Sequence, residues 1–215
     1  MKPIEDIRED YILGSLLESE LAASPFSQFE LWFEQALKAE VMEPNAMVLS
    51  TVSAEGCPSS RMVLLKGFDE AGFVFYTNYQ SKKGQELSQN PKGALLFFWP
   101  ELQRQVRIEG SIEQVSPEQS TDYFQSRPRG NQLGAWASPQ SESVPNREFL
   151  EQKMEEITRQ FEGQESIPKP PHWGGFVLDP IRIEFWQGRG SRMHDRIAYF
   201  HNPENESWDF KRLAP

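Results

Sequence analysis

A mainly β fold with peripheral helices, an antiparallel barrel either closed or split, is what this sequence predicts. Three observations lead there. Short apolar runs rich in β-branched and aromatic residues recur along most of the chain; tight turn signals such as Glu55-Gly56 and Asp69-Glu70-Ala71-Gly72 join them; and only a few amphipathic helical stretches intervene. With 215 residues and no internal repeat, residues 1–215 are expected to form one domain, since barrels commonly exceed the usual domain size.

The first periodic segment, Pro25 to Ala39, places Phe26, Phe29, Trp32, Phe33, Ala36 and Leu37 at spacings of three and four, which predicts a helix with an apolar face. Strands are then predicted over Ala46 to Ser53, Ser59 to Lys66 and Phe73 to Asn78, an antiparallel meander with short connections. Ser81 reads as the cap of a short helix to Gln89, stopped by Asn90-Pro91. Strands follow at Gly93 to Trp99 and Leu102 to Val115. Ser116-Pro117-Glu118 opens a helix that ends near Arg127-Pro128. A further helix, Asn146 to Phe161, is charged outside a stripe of Phe149, Leu150, Met154, Ile157 and Phe161. The last strands are expected at Trp173 to Leu178, Ile181 to Gln187, Arg192 to Phe200 and Ser207 to Arg212.

Composition excludes several functions. A formal charge of −10 argues against a nucleic-acid surface, which must neutralise phosphates. No apolar run approaches a membrane span, and Met1 to Asp10 is too charged for a secretory signal, so a cytoplasmic protein without membrane contact is expected. The only cysteine, Cys57, sits in a predicted turn, cannot form an internal disulfide and has no neighbours that would make a metal site. The basic residues nevertheless concentrate in the middle and late strands, whereas acids crowd the N-terminus and Glu148 to Glu165. A small multiply charged anion in a local pocket fits that pattern.

Several segments could make such a pocket. In an extended Arg192-Met193-His194-Asp195-Arg196, the side chains of Arg192, His194 and Arg196 would share one face. That face calls for an anion, or else belongs to a solvated edge strand. Arg61 and Lys66 bracket a hydrophobic strand at opposite parity, so either a bulge intervenes or the two cations hold different groups. Ser81-Lys82-Lys83 opens a helix, where unsatisfied N–H groups favour a phosphate, although lysines also decorate helix starts for solubility. Gln105 lies on the polar parity of its strand, where it either bonds a heterocycle or simply faces water. Tyr123 and Arg127 share a helix face at the point where Pro128 interrupts it.

Nine dispersed blocks, RMVLLK at 61–66, FYTN at 75–78, SKKGQE at 81–86, RQVRIEG at 104–110, YFQSRPRGNQLGAW at 123–136, WGGF at 173–176, IEFWQG at 183–188, RMHDR at 192–196 and the terminal RLAP, occur in the order found in the pyridoxine (pyridoxamine) 5′-phosphate oxidases. The chain resembles this family from about Arg8 to Pro215. The resemblance implies an FMN-binding split β-barrel and a homodimer with FMN at the subunit interface. It implies that Arg61, Met62, Val63, Leu64, Leu65, Lys66, Tyr76, Thr77, Lys82, Lys83, Gln105, Gln140, Ser141, Trp186 and Arg196 hold FMN. It further implies that Lys66, Tyr123, Arg127 and Asn131 take the substrate phosphate, that Arg192, Met193 and His194 meet the pyridine ring, with Arg192 and His194 catalytic, and that Arg8 and Tyr11 belong to an N-terminal lid within residues 1–24. The implied reaction oxidises the 4′ carbon of pyridoxine or pyridoxamine 5′-phosphate to the aldehyde of pyridoxal 5′-phosphate, with oxygen as the final acceptor and hydrogen peroxide as product.

Departures from the family pattern bear on binding. Asn131 stands where serine is usual and keeps a donor; Lys82 stands where arginine is common and lacks its bidentate fork. Arg8-Glu9-Asp10-Tyr11 and Leu16-Leu17-Glu18-Ser19-Glu20 lack the arginines some members carry, which argues against a secondary product site.

Overall fold

The computed structural model describes Pro3, Ile4 and residues 10–215; Arg8 lies outside the described residues. Nine antiparallel strands form one curled sheet: β1 (Ala46–Val52), β2 (Pro58–Leu64), β3 (Gly67–Asp69), β4 (Gly72–Asn78), β5 (Lys92–Trp99), β6 (Arg104–Gln114), β7 (Trp173–Gln187), β8 (Asp195–Asn202) and β9 (Ser207–Arg212). The hydrogen-bonded order is β2-β1-β5-β6-β7-β4-β3, with β8 on β7 and β9 on β8. Five α-helices lie among the described residues: α1 (Pro25–Lys38), α2 (Lys82–Gln89), α3 (Pro117–Ser126), α4 (Arg129–Ala137) and α5 (Arg147–Gln160).

The helix starts follow capping chemistry. Ser24, Ser81, Ser116 and Asn146 each accept a hydrogen bond from a backbone N–H three residues on, and Pro25 and Pro117 occupy first-turn positions where no N–H is needed. The face of α1 formed by Phe29, Trp32 and Ala36 is buried against the inner side of the sheet, where Phe29 meets Phe73 and Phe97 and Trp32 meets Phe185. Leu37, expected on that face, is exposed. A second apolar cluster, Phe124, Leu133, Phe161, Ile167 and Trp173, lies under α3, α4 and α5.

Four expectations are corrected. The two strands expected at 173–178 and 181–187 are one strand, β7, because a bulge opposite Glu109/Gly110 absorbs the interruption at Asp179-Pro180. The strand expected from Leu102 begins at Arg104, after a 3-10 turn (Pro100–Leu102) closed by Gln103 in the left-handed region. The stop at Arg127-Pro128 is also a start: Pro128 is the N-cap of α4, a helix the sequence reading did not contain. Finally, residues Gly190–Arg192 form a 3-10 turn with Ser191 and Arg192 at positive φ, and β8 starts only at Asp195. Arg192, His194 and Arg196 therefore do not alternate along one strand.

Candidate functional site

The sheet curls until β2 stands beside β4, and a cavity opens at that seam. It is lined by Arg61, Met62, Val63, Leu64, Lys66, Tyr76, Thr77, Lys83, Tyr123, Arg127, Asn131, Gln140 and Trp173. All but Trp173 were expected from the sequence. The parity conflict between Arg61 and Lys66 is resolved by the end of β2 at Leu64: Leu65 turns into the core and Lys66 leaves the strand, its N–H bonded to Val74 O at 2.8 Å. Leu65, predicted to touch the cofactor, is thus a core residue.

At one end of the cavity Lys83 is buried, and its Nζ donates to Gln140 Oε1 at 2.9 Å, Thr77 Oγ1 at 3.2 Å and Ser81 Oγ at 3.3 Å. Burial, and then the neighbouring charge of Arg61, push the Lys83 ammonium down to about 8. No carboxylate touches it among the described residues. Arg61 is braced from behind: its guanidinium donates to Leu49 O, Thr51 Oγ1 and Ser59 Oγ and lies 3.3 Å from the buried Glu86 carboxylate. Lys82, by contrast, points outward toward Glu86 at 3.8 Å and does not line the cavity. Ser141, at positive φ, is exposed beyond Gln140 and does not line it either.

The opposite wall is aromatic. Tyr76 stacks on Tyr123, centroids 3.9 Å apart, and on Trp173 at 5.4 Å. Arg127 lies over Trp173 at 4.6 Å, with one guanidinium nitrogen, Nη1, buried and without a partner. Burial lowers the Arg127 pKa. This stack depends on the glycines of β7: a Cβ on Gly175 would come within 2.7 Å of the Tyr76 ring and of Val115, and one on Gly174 would collide with the Tyr79 hydroxyl. Trp173 was within a quoted motif but carried no assigned role; the Gly-Gly pair following it was the available signal.

The remaining predicted residues gather elsewhere. Register matches put Met62, Val48, Leu96, Arg107, Glu184 and Ala198 in one row on the open face of the sheet, and two residues along each strand Leu64 pairs with Ala46, and Phe98 with Gln105, Trp186 and Arg196, in the row beside it. Trp186 packs against His194 at 4.6 Å and Tyr11 at 5.7 Å, and His194 Nδ1 accepts from Arg189 N–H at 3.1 Å. Burial, with the Arg192 charge second, lowers the His194 pKa. Arg192 and Met193 are exposed beside this cluster. Four strand spacings, about 19 Å, separate Leu64 from Trp186 across the sheet. Trp173 and Trp186 occupy opposite ends of β7.

Arg196 is held by Glu184, which is only 2% exposed: Nε and Nη2 of Arg196 donate to Glu184 Oε1 at 2.9 and 2.8 Å, while Arg182 donates to Oε2 at 2.7 Å. Among the described residues no cluster of three or more His, Cys, Asp or Glu side chains is arranged to hold a metal, and no helix is long and apolar enough to cross a membrane.

A curled antiparallel sheet with a seam cavity that joins an aromatic wall to four cations and no carboxylate has the chemistry to take a planar, phosphorylated ligand. The particular family follows from comparison with known proteins. The family described as pyridoxamine 5′-phosphate oxidase matches residues 33–161, and the pyridoxine 5′-phosphate oxidase C-terminal dimerisation region matches residues 173–215. The chain is 55% identical over 212 residues to the pyridoxine/pyridoxamine 5′-phosphate oxidase of Acaryochloris marina, covering 99% of this chain and 95% of that one. It is 56% identical over 212 residues to the enzyme of the same name from Synechocystis, covering 99% and 98%. Among solved structures, PhzG from Burkholderia lata, in complex with tetrahydrophenazine-1-carboxylic acid, superposes with a TM-score of 0.87 at 27% identity, covering 94% of this chain and 99% of that chain. A pyridoxamine 5′-phosphate oxidase-related, FMN-binding protein from Nostoc punctiforme shares the fold, with a TM-score of 0.70 at 18% identity, covering 91% and 100%. The chain belongs to the pyridoxamine 5′-phosphate oxidase family.

Proposed function

We propose that this protein oxidises pyridoxine 5′-phosphate or pyridoxamine 5′-phosphate to pyridoxal 5′-phosphate, using FMN and oxygen and releasing hydrogen peroxide. The observation that carries this reading is that one cavity contains two separate cationic groups that no carboxylate touches among the described residues: buried Lys83, beside an Arg61 whose only acidic partner, Glu86, lies behind it, and Arg127 with its unpartnered Nη1. Two phosphates, one on the cofactor and one on the substrate, answer both. A flavoenzyme for an unphosphorylated ring would have no use for Lys66, Tyr123 and Arg127 together.

In this reading Lys83 and Arg61 grip the FMN phosphate, and Thr77 and Gln140 orient Lys83 toward it. Lys66, Tyr123, Arg127 and Asn131 hold the substrate phosphate. FMN supplies the two-electron acceptor. The protein's contribution is orientation and charge. Arg192 and His194 bracket the pyridine ring, while Gln105, Trp186 and Arg196 face the cofactor ring.

These last residues come from a second copy of the chain. They lie far from the cavity within one copy, on an open sheet face whose Met62 and Phe98 are 61% and 54% exposed. A two-fold axis through that face brings the β2 edge of each copy against β7 and β8 of the other, completing two equivalent sites. The C-terminal dimerisation match supports this arrangement.

The direct test is purification followed by reaction. The protein should be yellow, and pyridoxine 5′-phosphate added in air should yield aldehyde and peroxide; colourless protein that leaves the substrate unoxidised after FMN addition refutes the proposal. Co-expressing Arg127→Ala with Arg192→Ala tests the shared site. If the halves come from different copies, mixed dimers regain one intact site of two; if they come from one copy, mixing restores nothing.

A further inference from the structure

We infer that Gln132 is a positioning residue that sets Arg127 against the substrate phosphate. The inference rests on the assignment of Arg127 made above. Helix α3 ends at Ser126, and Arg127 is already extended, with φ −74° and ψ 147°. Pro128 follows, with no N–H to offer the last carbonyls of α3. Arg127 N–H reaches Phe124 O at 3.2 Å, and the rest of the closure comes from one side chain five residues beyond Arg127.

Gln132, in the second turn of α4, is buried, and its Nε2 donates to Phe124 O at 3.0 Å, Arg127 O at 3.1 Å and Gln125 O at 3.2 Å. Two amide hydrogens are thus shared among three carbonyls at a helix end, two of which, those of Gln125 and Arg127, have no other donor among the described residues. One of those carbonyls belongs to Arg127 itself. Gln132 also adjoins Asn131, which lines the cavity, so the same amide locks the elbow that carries both phosphate-facing side chains. The Arg127 guanidinium has no carboxylate to fix it among the described residues; Trp173, Phe124 and Tyr123 are its neighbours. Its placement therefore depends on where its backbone is held.

The FMN-facing group is anchored mainly elsewhere: Lys83 is tied to Thr77 on β4 and to Ser81, the cap of α2, and shares with the α4 region only its bond to Gln140, three residues past the end of that helix. The two phosphates of one cavity consequently serve as each other's control. In the holoenzyme, Gln132→Leu should raise KM for pyridoxine 5′-phosphate about tenfold, weaken competitive inhibition by inorganic phosphate in parallel, and alter kcat and FMN dissociation far less. In an Arg127→Ala background the same substitution should add nothing to KM, because the group it positions is gone. If Gln132→Leu does not fold, Gln132→Met, of similar length and without donors, should give the same pattern. Equal effects of the Gln132 substitution in both backgrounds, or a loss of FMN affinity as large as the rise in KM, would make Gln132 purely structural and overturn the inference. Were Arg127→Ala itself to leave KM unchanged, the phosphate assignment would fall instead.

Discussion

If Lys83 holds the FMN phosphate, as proposed, FMN binding is a proton-linked event. Its pKa is pushed from 10.5 to about 8, first by burial and then by Arg61, so near pH 8 half of the unliganded protein carries a neutral amine there. A bound phosphate dianion favours the ammonium. If the dianion restores the ordinary lysine value, binding takes up about half a proton at pH 8, about nine-tenths at pH 9 and about one-tenth at pH 7. The FMN phosphate is already doubly ionised above pH 8 and does not contribute. Integrated over pH, the affinity of the apoprotein for FMN should fall about twentyfold between pH 7.5 and 9.5.

The assay is calorimetric titration of apoprotein with FMN in buffers of differing ionisation enthalpy, repeated with Lys83→Met, which should bind FMN weakly and take up no proton at pH 9. The linkage has an opposite sign for folding. Because the folded apoprotein binds fewer protons than the unfolded chain between pH 8 and 10.5, this group makes the apoprotein more stable as pH rises through that window while FMN binding weakens. Buffer-independent heats at pH 9, or the same proton uptake in Lys83→Met, would refute the reasoning.

Three further outcomes follow from the geometry. Arg192→Ala should impair turnover while most FMN stays bound, measured by absorbance of the purified protein and steady-state rate; loss of flavin with unchanged turnover per bound cofactor contradicts the role given to Arg192. Glu184→Ala removes a buried carboxylate shared by Arg107, Arg182 and Arg196, leaving Arg196 without an acidic partner while Arg107 and Arg182 keep Glu109, and should lower stability by about 3 kcal/mol in denaturant titration. Gly175→Ala drives a methyl group into Tyr76 and Val115 and should disturb the Tyr76–Tyr123 stack, seen as weaker substrate binding and altered tyrosine fluorescence; unchanged KM would show that the stack tolerates the displacement.

The parts of the fold written in local chemistry were legible: the caps at Ser81 and Ser116, the proline in the first turn after Ser116, and the short-connected strands β1, β2 and β4. Most of the seam cavity was legible as well, because the cations and tyrosines fall in compact motifs. The failures have identifiable causes. Helix α4 was missed because Pro128 reads as a terminator, whereas its fixed φ serves equally well just before a helix. The turn at Ser191-Arg192 places two non-glycine residues at positive φ, a conformation these residue types do not announce. Glu86, Glu184 and Gln132 went unnoticed because a buried acid or amide on a polar segment looks like solvated surface until the tertiary fold closes over it.

The formal charge of −10 and the anion binding proposed for the seam are compatible because the two act over different distances. A long polyanion lying along the molecule meets the summed field of the acids in α5 and near the N-terminus and is repelled. A small phosphate ester at the seam meets Arg61, Lys66, Lys83 and Arg127, with no carboxylate lining the cavity and Glu86 touching Arg61 only from behind. Acids more than about 8 Å away are screened at physiological ionic strength, whereas the buried Lys83 and the half-buried Arg61 and Arg127 are screened far less. The aromatic wall then admits a flat ring where an inorganic ion alone would leave apolar surface wet. In the function proposed, charge selects the phosphate and stacking selects the ring, and Lys83 and Arg127, each without a carboxylate partner in the cavity, call for one anion apiece.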